Sequence, residues 1–120
     1  MYGLKKETDL NFLIGRELIQ LAIGLYDTTF KFDEDVAISV EGEFRYFDGQ
    51  AERTWRPEPG SSLTAARTVA LLGATIEGFE SSGDGTLALT FSNAQRLTLA
   101  DPSKEYESYQ ITRPGETIVV

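Results

Sequence analysis

Apolar and polar residues alternate along most of this chain. Ile38, Val40, Phe44 and Tyr46 alternate with Ser39, Glu41, Glu43 and Arg45, a period of two that predicts a half-buried strand with one wet face. Phe30 and Phe32 alternate with Thr29 and Lys31, and Leu87, Leu89 and Phe91 with Ala88, Thr90 and Ser92. Leu97 and Leu99 alternate with Arg96 and Thr98. Turn residues separate these runs: Asp33-Glu34-Asp35, Ser92-Asn93-Ala94, and Ser82-Gly83-Asp84-Gly85 ahead of Leu87. Asp-Gly is a strong hairpin signal. Alternation with polar outer faces predicts antiparallel sheet, because a buried parallel sheet would be apolar on both faces. Tyr106 to Ile111, the Pro114-Gly115 turn and Ile118-Val119-Val120 predict a terminal hairpin.

Two stretches break the period. From Ser62 to Gly73, Leu63, Ala66, Val69 and Ala70 fall on one helical face, with Ser62 as N-cap and Gly73 at the C-terminal glycine position. Leu10, Leu13 and Ile14, after Thr8 and Asp9 and before Gly15, predict a shorter helical turn. Arg56-Pro57-Glu58-Pro59-Gly60 reads as a loop.

The pieces repeat. Leu13-Ile14-Gly15 matches Leu71-Leu72-Gly73 at an offset of 58, and Leu18 and Leu21 match Ile76 and Phe79. One residue more aligns Phe30-x-Phe32 with Leu89-x-Phe91 and Ile38-x-Val40 with Leu97-x-Leu99. The expected architecture is α+β and mostly antiparallel: two pseudo-repeated α-βββ units, about 9–47 and 62–112, plus a C-terminal hairpin. Neither unit alone buries enough to be stable, so both share one core in a single domain, 1–120, as a sandwich or partly open barrel.

Composition narrows the chemistry. The 120 residues hold no His and no Cys, and 11 basic against 19 acidic residues give a net charge of −8. Histidine acid–base catalysis, thiol chemistry, disulfides and imidazole or thiolate metal sites are excluded. Phosphate-loop, dinucleotide and nucleophile-elbow motifs are absent. Basic residues are scattered, which argues against nucleic acid and anionic membrane surfaces. No apolar run approaches the ~20 residues of a membrane span. These features predict a cytoplasmic protein with no cofactor. The acidic balance serves solubility or meets a basic protein partner. Asp33, Glu34 and Asp35 fail the calcium-loop pattern, with Ala37 and no glycine at its sixth position, and read as a charged turn.

Two segments are candidate binding sites. Trp55, between Arg53 and Arg56 and read as part of the Pro-rich loop, either anchors a partner or plugs the end of a β core while the arginines snorkel. In a regular strand, Tyr106, Ser108 and Gln110 share one face and Glu107, Tyr109 and Ile111 the other. That strand either exposes Tyr106 as a contact surface or turns Glu107 inward to Arg16, Arg45 or Arg96.

Leu13-x-Gly15, Gly24-x-Tyr26, Phe30-x-Phe32-Asp33, Leu72-Gly73, Gly85-Thr86-Leu87-x-Leu89-x-Phe91-Ser92-Asn93 and Asp101-x4-Tyr106-Glu107-Ser108-Tyr109-Gln110-Ile111 together resemble an uncharacterised family of small bacterial proteins. Ala94-Gln95 departs from it where a glycine would be expected. Such domains look like immunity proteins of bacterial toxin systems, and the resemblance implies no catalytic residues. The expected function is a non-catalytic binding protein, an acidic inhibitor of a basic partner. The alternatives are a homodimeric assembly subunit joined by a strand edge and a carboxylate-dependent hydrolase.

Overall fold

The described residues form ten antiparallel strands in two five-stranded sheets. The computed structural model describes residues 8–101 and 108–120. A 3-10 turn, Asn11–Leu13, leads into β1 (Leu18–Ile23), β2 (Thr28–Phe32) and β3 (Ala37–Val40), and then into the hairpin β4 (Glu43–Phe47) and β5 (Glu52–Trp55). The second half repeats the order. Helix α1 (Ser62–Arg67) runs into a 3-10 turn, Thr68–Leu71, then β6 (Ile76–Ser81), β7 (Leu87–Phe91), β8 (Arg96–Ala100) and the hairpin β9 (Tyr109–Arg113) and β10 (Glu116–Val119).

Each half gives its hairpin to the other. One sheet runs β1-β2-β3-β9-β10 and the second β5-β4-β8-β7-β6. The first switch between sheets meets the residue before β9: the N–H groups of Glu41 and Gly42 both donate to the Ser108 carbonyl, at 3.0 and 2.8 Å. A Cβ on Gly42 would lie 3.2 Å from the Ser108 backbone, so glycine lets the chains approach there.

The apolar alternation lines the space between the sheets. Phe30 meets Phe44 edge-on with centroids 5.5 Å apart, and Phe32 stacks on Phe91 at 6.4 Å. Both contacts join one sheet to the other.

Hydrogen bonds at the helix ends come in matched pairs. Gly15 N–H donates to Ile76 O and Gly73 N–H to Leu18 O, at 2.8 and 2.9 Å. Leu18 N–H donates to Ala74 O and Ile76 N–H to Arg16 O, each at 3.0 Å. Glu17 N–H finds the Asp33 carboxylate and Thr75 N–H the Ser92 hydroxyl, each at 3.0 Å. Gly15 and Gly73 have φ of +84° and +87°, the left-handed region that glycine enters without penalty. β1 and β6 even carry the same irregularity, between Leu18 and Gln20 and between Ile76 and Gly78.

Four local expectations need correction. The run from Ile38 to Tyr46 is two strands, not one, with β3 and β4 in different sheets. Alternation survives the switch because both strands turn their apolar residues to the same core. Trp55 lies on β5, paired with Phe44 on β4, and the loop begins only after it. The helix buries Ala65, Thr68 and Leu71, while Leu63, Val69 and Leu72 are exposed. The reason is the change from α to 3-10 winding after Arg67, since residues three apart share a face at three per turn. Ser61, not Ser62, precedes the helix, and its side chain makes no capping bond.

Candidate functional site

The residues singled out as binding candidates do not converge on one surface. Trp55 is buried at 1% exposure and stacks on Phe44, with ring centroids 5.2 Å apart. Arg53 turns back to Asp48 at 2.8 Å, and Arg56 reaches Glu43 at 3.3 Å. Ser108 is buried and donates its hydroxyl to Asp101 at 2.7 Å. Gln110 is half-buried on β9, opposite Ser39 and Val119. Tyr106 and Glu107 lie outside the described residues. Tyr109 and Ile111 face the core, and the Tyr109 hydroxyl donates to Gly85 O at 2.7 Å. Burial first, then the Asp101 and Asp84 charges, push the Tyr109 hydroxyl well above its ordinary pKa.

Shifted carboxylates are structural. The Ala51 and Gln50 N–H groups, then the Arg53 side chain, hold Asp48 at a pKa of about 2. The Thr86 N–H and the Ser82 hydroxyl hold Asp84 at about 2. Both stand in hairpin turns, where a carboxylate accepting backbone N–H groups fixes the bend. Among the described residues no three acidic side chains gather as a metal site would require, and no helix is long and apolar enough to cross a membrane.

An open cleft lies beside each of the two helical turns. Phe12, Ile14, Arg16, Val36 and Arg113 line one of about 450 Å³. Its Arg113 guanidinium sits over the Phe12 ring at 4.4 Å, and Arg16 faces Asp33 at 3.5 Å. Tyr46, Asp48, Arg67, Val69 and Gln95 line the other. There Tyr46 donates its hydroxyl to Gln95 Oε1 at 2.6 Å, and burial, then Asp48, raises its pKa. In the second cleft Gln95 also donates to Asp48 O at 3.2 Å, whereas in the first the Nε of Arg16 is buried without a hydrogen-bond partner.

The feature that stands out is the exposed apolar surface around β1. Ile19 is 57% exposed, Leu25 60% and Tyr26 58%, with Ile23 at 39%. Helix α1, which contacts both β5 and β1, carries the exposed Leu63; Val69 and Leu72 after it are also exposed, Val69 in the second cleft. From Leu18 to Tyr26 there are nine residues without a charge, in a chain of net charge −8.

The pseudo-repeat supplies its own control. β6 is the edge of its sheet as β1 is of the other. At the offset of 58, Ile19 corresponds to Glu77 and Ala22 to Glu80. Both glutamates are exposed. Charges on an edge strand block pairing with another chain. One edge is guarded and its twin is open.

Pattern reading did not single out this surface. Which strands become edges depends on pairing, which a local pattern does not encode. The signal within reach was the uncharged run from Leu18 to Tyr26.

A family model described as a family of unknown function (DUF6188) matches residues 11–120. No curated protein and no solved structure matches the chain.

Proposed function

This chain belongs to DUF6188, a family of unknown function, and we propose that it is a non-catalytic binding domain whose contact surface is the open edge of β1 with the exposed flank of α1. The contrast between β1 and β6 carries the reading. The two strands occupy matching places in their sheets, yet β6 holds Glu77 and Glu80 where β1 holds Ile19 and Ala22. An apolar, uncharged edge, with the exposed Leu63 on a helix that contacts β1, supports contact with another protein chain rather than with solvent. We place this domain in the cytoplasm.

The test compares capture by the wild-type chain with capture by a Leu63→Glu/Val69→Glu variant and a Glu80→Ala control in lysate of the source cells, alongside solution mass. A species held by the wild type and the control and lost by the variant supports the reading. Equal retention by all three overturns it, as does no retention by a chain that stays monomeric.

The acidic balance favours a second reading, an immunity-type inhibitor of a basic partner. Arg16, Arg53, Arg56 and Arg113 are each tied to a carboxylate. Glu77 and Glu80 stand exposed on β6 with no ion pair among the described residues. That contact would weaken with salt and be lost in a Glu77→Gln/Glu80→Gln variant.

A further inference from the structure

We propose that the partner of β1 is a second copy of this chain, joined by antiparallel β1–β1 pairing about a twofold axis through Ala22. The inference rests on the binding role assigned to this edge and names its occupant.

The register follows from the hydrogen bonds already made. Phe32 N–H donates to Val36 O, toward the β3 side. Alternation along β2 then turns Phe30 toward β3 and Thr29 and Lys31 toward β1. Their partners on β1 are Ala22 and Gln20. The backbone groups of Leu21 and Ile23 therefore face the free edge, and among the described residues neither makes a hydrogen bond outside its sheet. Leu18 is already occupied, by Gly73 and Ala74. Of the symmetric registers, the one centred on Ala22 pairs these two outward residues with each other. Leu21 of each strand faces Ile23 of the other, and Ala22 faces Ala22. Four backbone hydrogen bonds close, and the two sheets become one.

The side chains suit that register. Leu21 lies against Ile23, the small Ala22 lies on the axis, and Gln20 lies opposite Gly24. Ile19 is brought to the Leu25–Tyr26 turn of the second copy, so the three most exposed side chains of this segment cover one another. A twofold interface must be self-complementary, residue i meeting j as j meets i. An uncharged strand meets that condition without placing like charges opposite each other. Two chains of charge −8 repel, so the contact should lie where charge is absent. In β6 the same register would bring Glu80 against Glu80, which assigns the pairing to β1.

The test is sedimentation equilibrium of the wild type across a concentration series at low and high salt, with Ala22→Glu and Ala22→Lys variants alone and mixed. The wild type is expected to reach twice the 13.3 kDa of one chain. Its association should tighten with salt, as screening removes the net repulsion. Each variant alone should associate at least about tenfold more weakly, since like charges meet on the axis. An equimolar mixture should recover the dimer, because opposite charges then meet. A merely misfolded variant would not recover, and unchanged far-ultraviolet circular dichroism confirms each fold. A monomeric wild type at all concentrations overturns the proposal, as does a dimer that both variants keep or a mixture that fails to recover. In the monomer case, capture that still depends on Leu63 and Val69 would leave the binding role standing with another partner.

Discussion

Replacing Trp55 by alanine should cost this protein a large part of its stability while leaving the β1 surface intact. The indole is 1% exposed. It stacks on Phe44 with planes 15° apart, and α1 contacts β5, the strand that carries it. Truncating a buried Trp removes transfer free energy and leaves a cavity, together about 3–5 kcal/mol. The lost ring pair adds about 0.5–1.5 kcal/mol. A total near 4–5 kcal/mol is a third or more of the roughly 5–15 kcal/mol that holds a domain of this kind. The melting temperature should fall by about 15–20 °C, at roughly 4 °C per kcal/mol for a chain of this length. The measurement is urea unfolding followed by far-ultraviolet circular dichroism, since the substitution removes the only Trp. The midpoint should fall with the slope unchanged. Trp55→Phe should recover about half the loss, by keeping a ring against Phe44. A loss below about 1 kcal/mol would refute the reasoning, because no buried aromatic side chain is removed so cheaply. Altered partner capture at full stability would make Trp55 a contact residue instead.

Two further outcomes test the fold. Tyr109→Phe leaves the Gly85 carbonyl without its buried donor and should cost about 1–3 kcal/mol in the same unfolding assay. Because the folded state holds the Tyr109 proton more tightly than the unfolded state does, that hydroxyl contributes stability present below the ordinary tyrosine pKa of about 10. The contribution is lost as pH rises above that value, so the difference between wild type and Tyr109→Phe should shrink in alkali; a difference independent of pH would contradict this. Gly15→Ala and Gly73→Ala meet no atom within 4 Å, so each should cost only the left-handed backbone penalty, about 1–2 kcal/mol. The two costs should agree within about 0.5 kcal/mol, and a large disparity in chemical denaturation would deny the equivalence of the two glycines.

Much of the strand content was legible because it depends on neighbours in sequence. Phe30 and Phe32, Leu87 to Phe91, and Leu97 and Leu99 alternate with polar residues, and every one of these apolar positions is buried. The turns were legible for the same reason. Glu34 and Asp35 take φ of +58° and +57° between β2 and β3, and Gly85 takes +95° before β7. Ala94 adopts +69° at the turn where a glycine was expected. The candidate contact residues were less legible. Ser108 looked like surface in sequence and is buried, and Trp55, which could have been an anchor or a core plug, is also buried. Leu63 and Val69 looked like core and are exposed. A periodicity shows that a face is apolar, and only the path of the chain shows whether anything lies against it.

Local pattern alone is enough to place most of the strands, to say which side chains share a face, and to show that two similar halves follow one another. Those properties follow from backbone geometry over a few residues. Tertiary structure alone decided that the chain changes sheet between Val40 and Glu43, that each half lends its hairpin to the other, and that β1 is left as an edge. Each of those outcomes joins residues far apart in sequence. Pairing β3 with β9 brings together Ile38 and Ile111, and no local pattern selects that partner over another strand of equal alternation. What selects it is that two sheets sharing one core bury Phe32 of one half against Phe91 of the other, a gain that neither half can make alone.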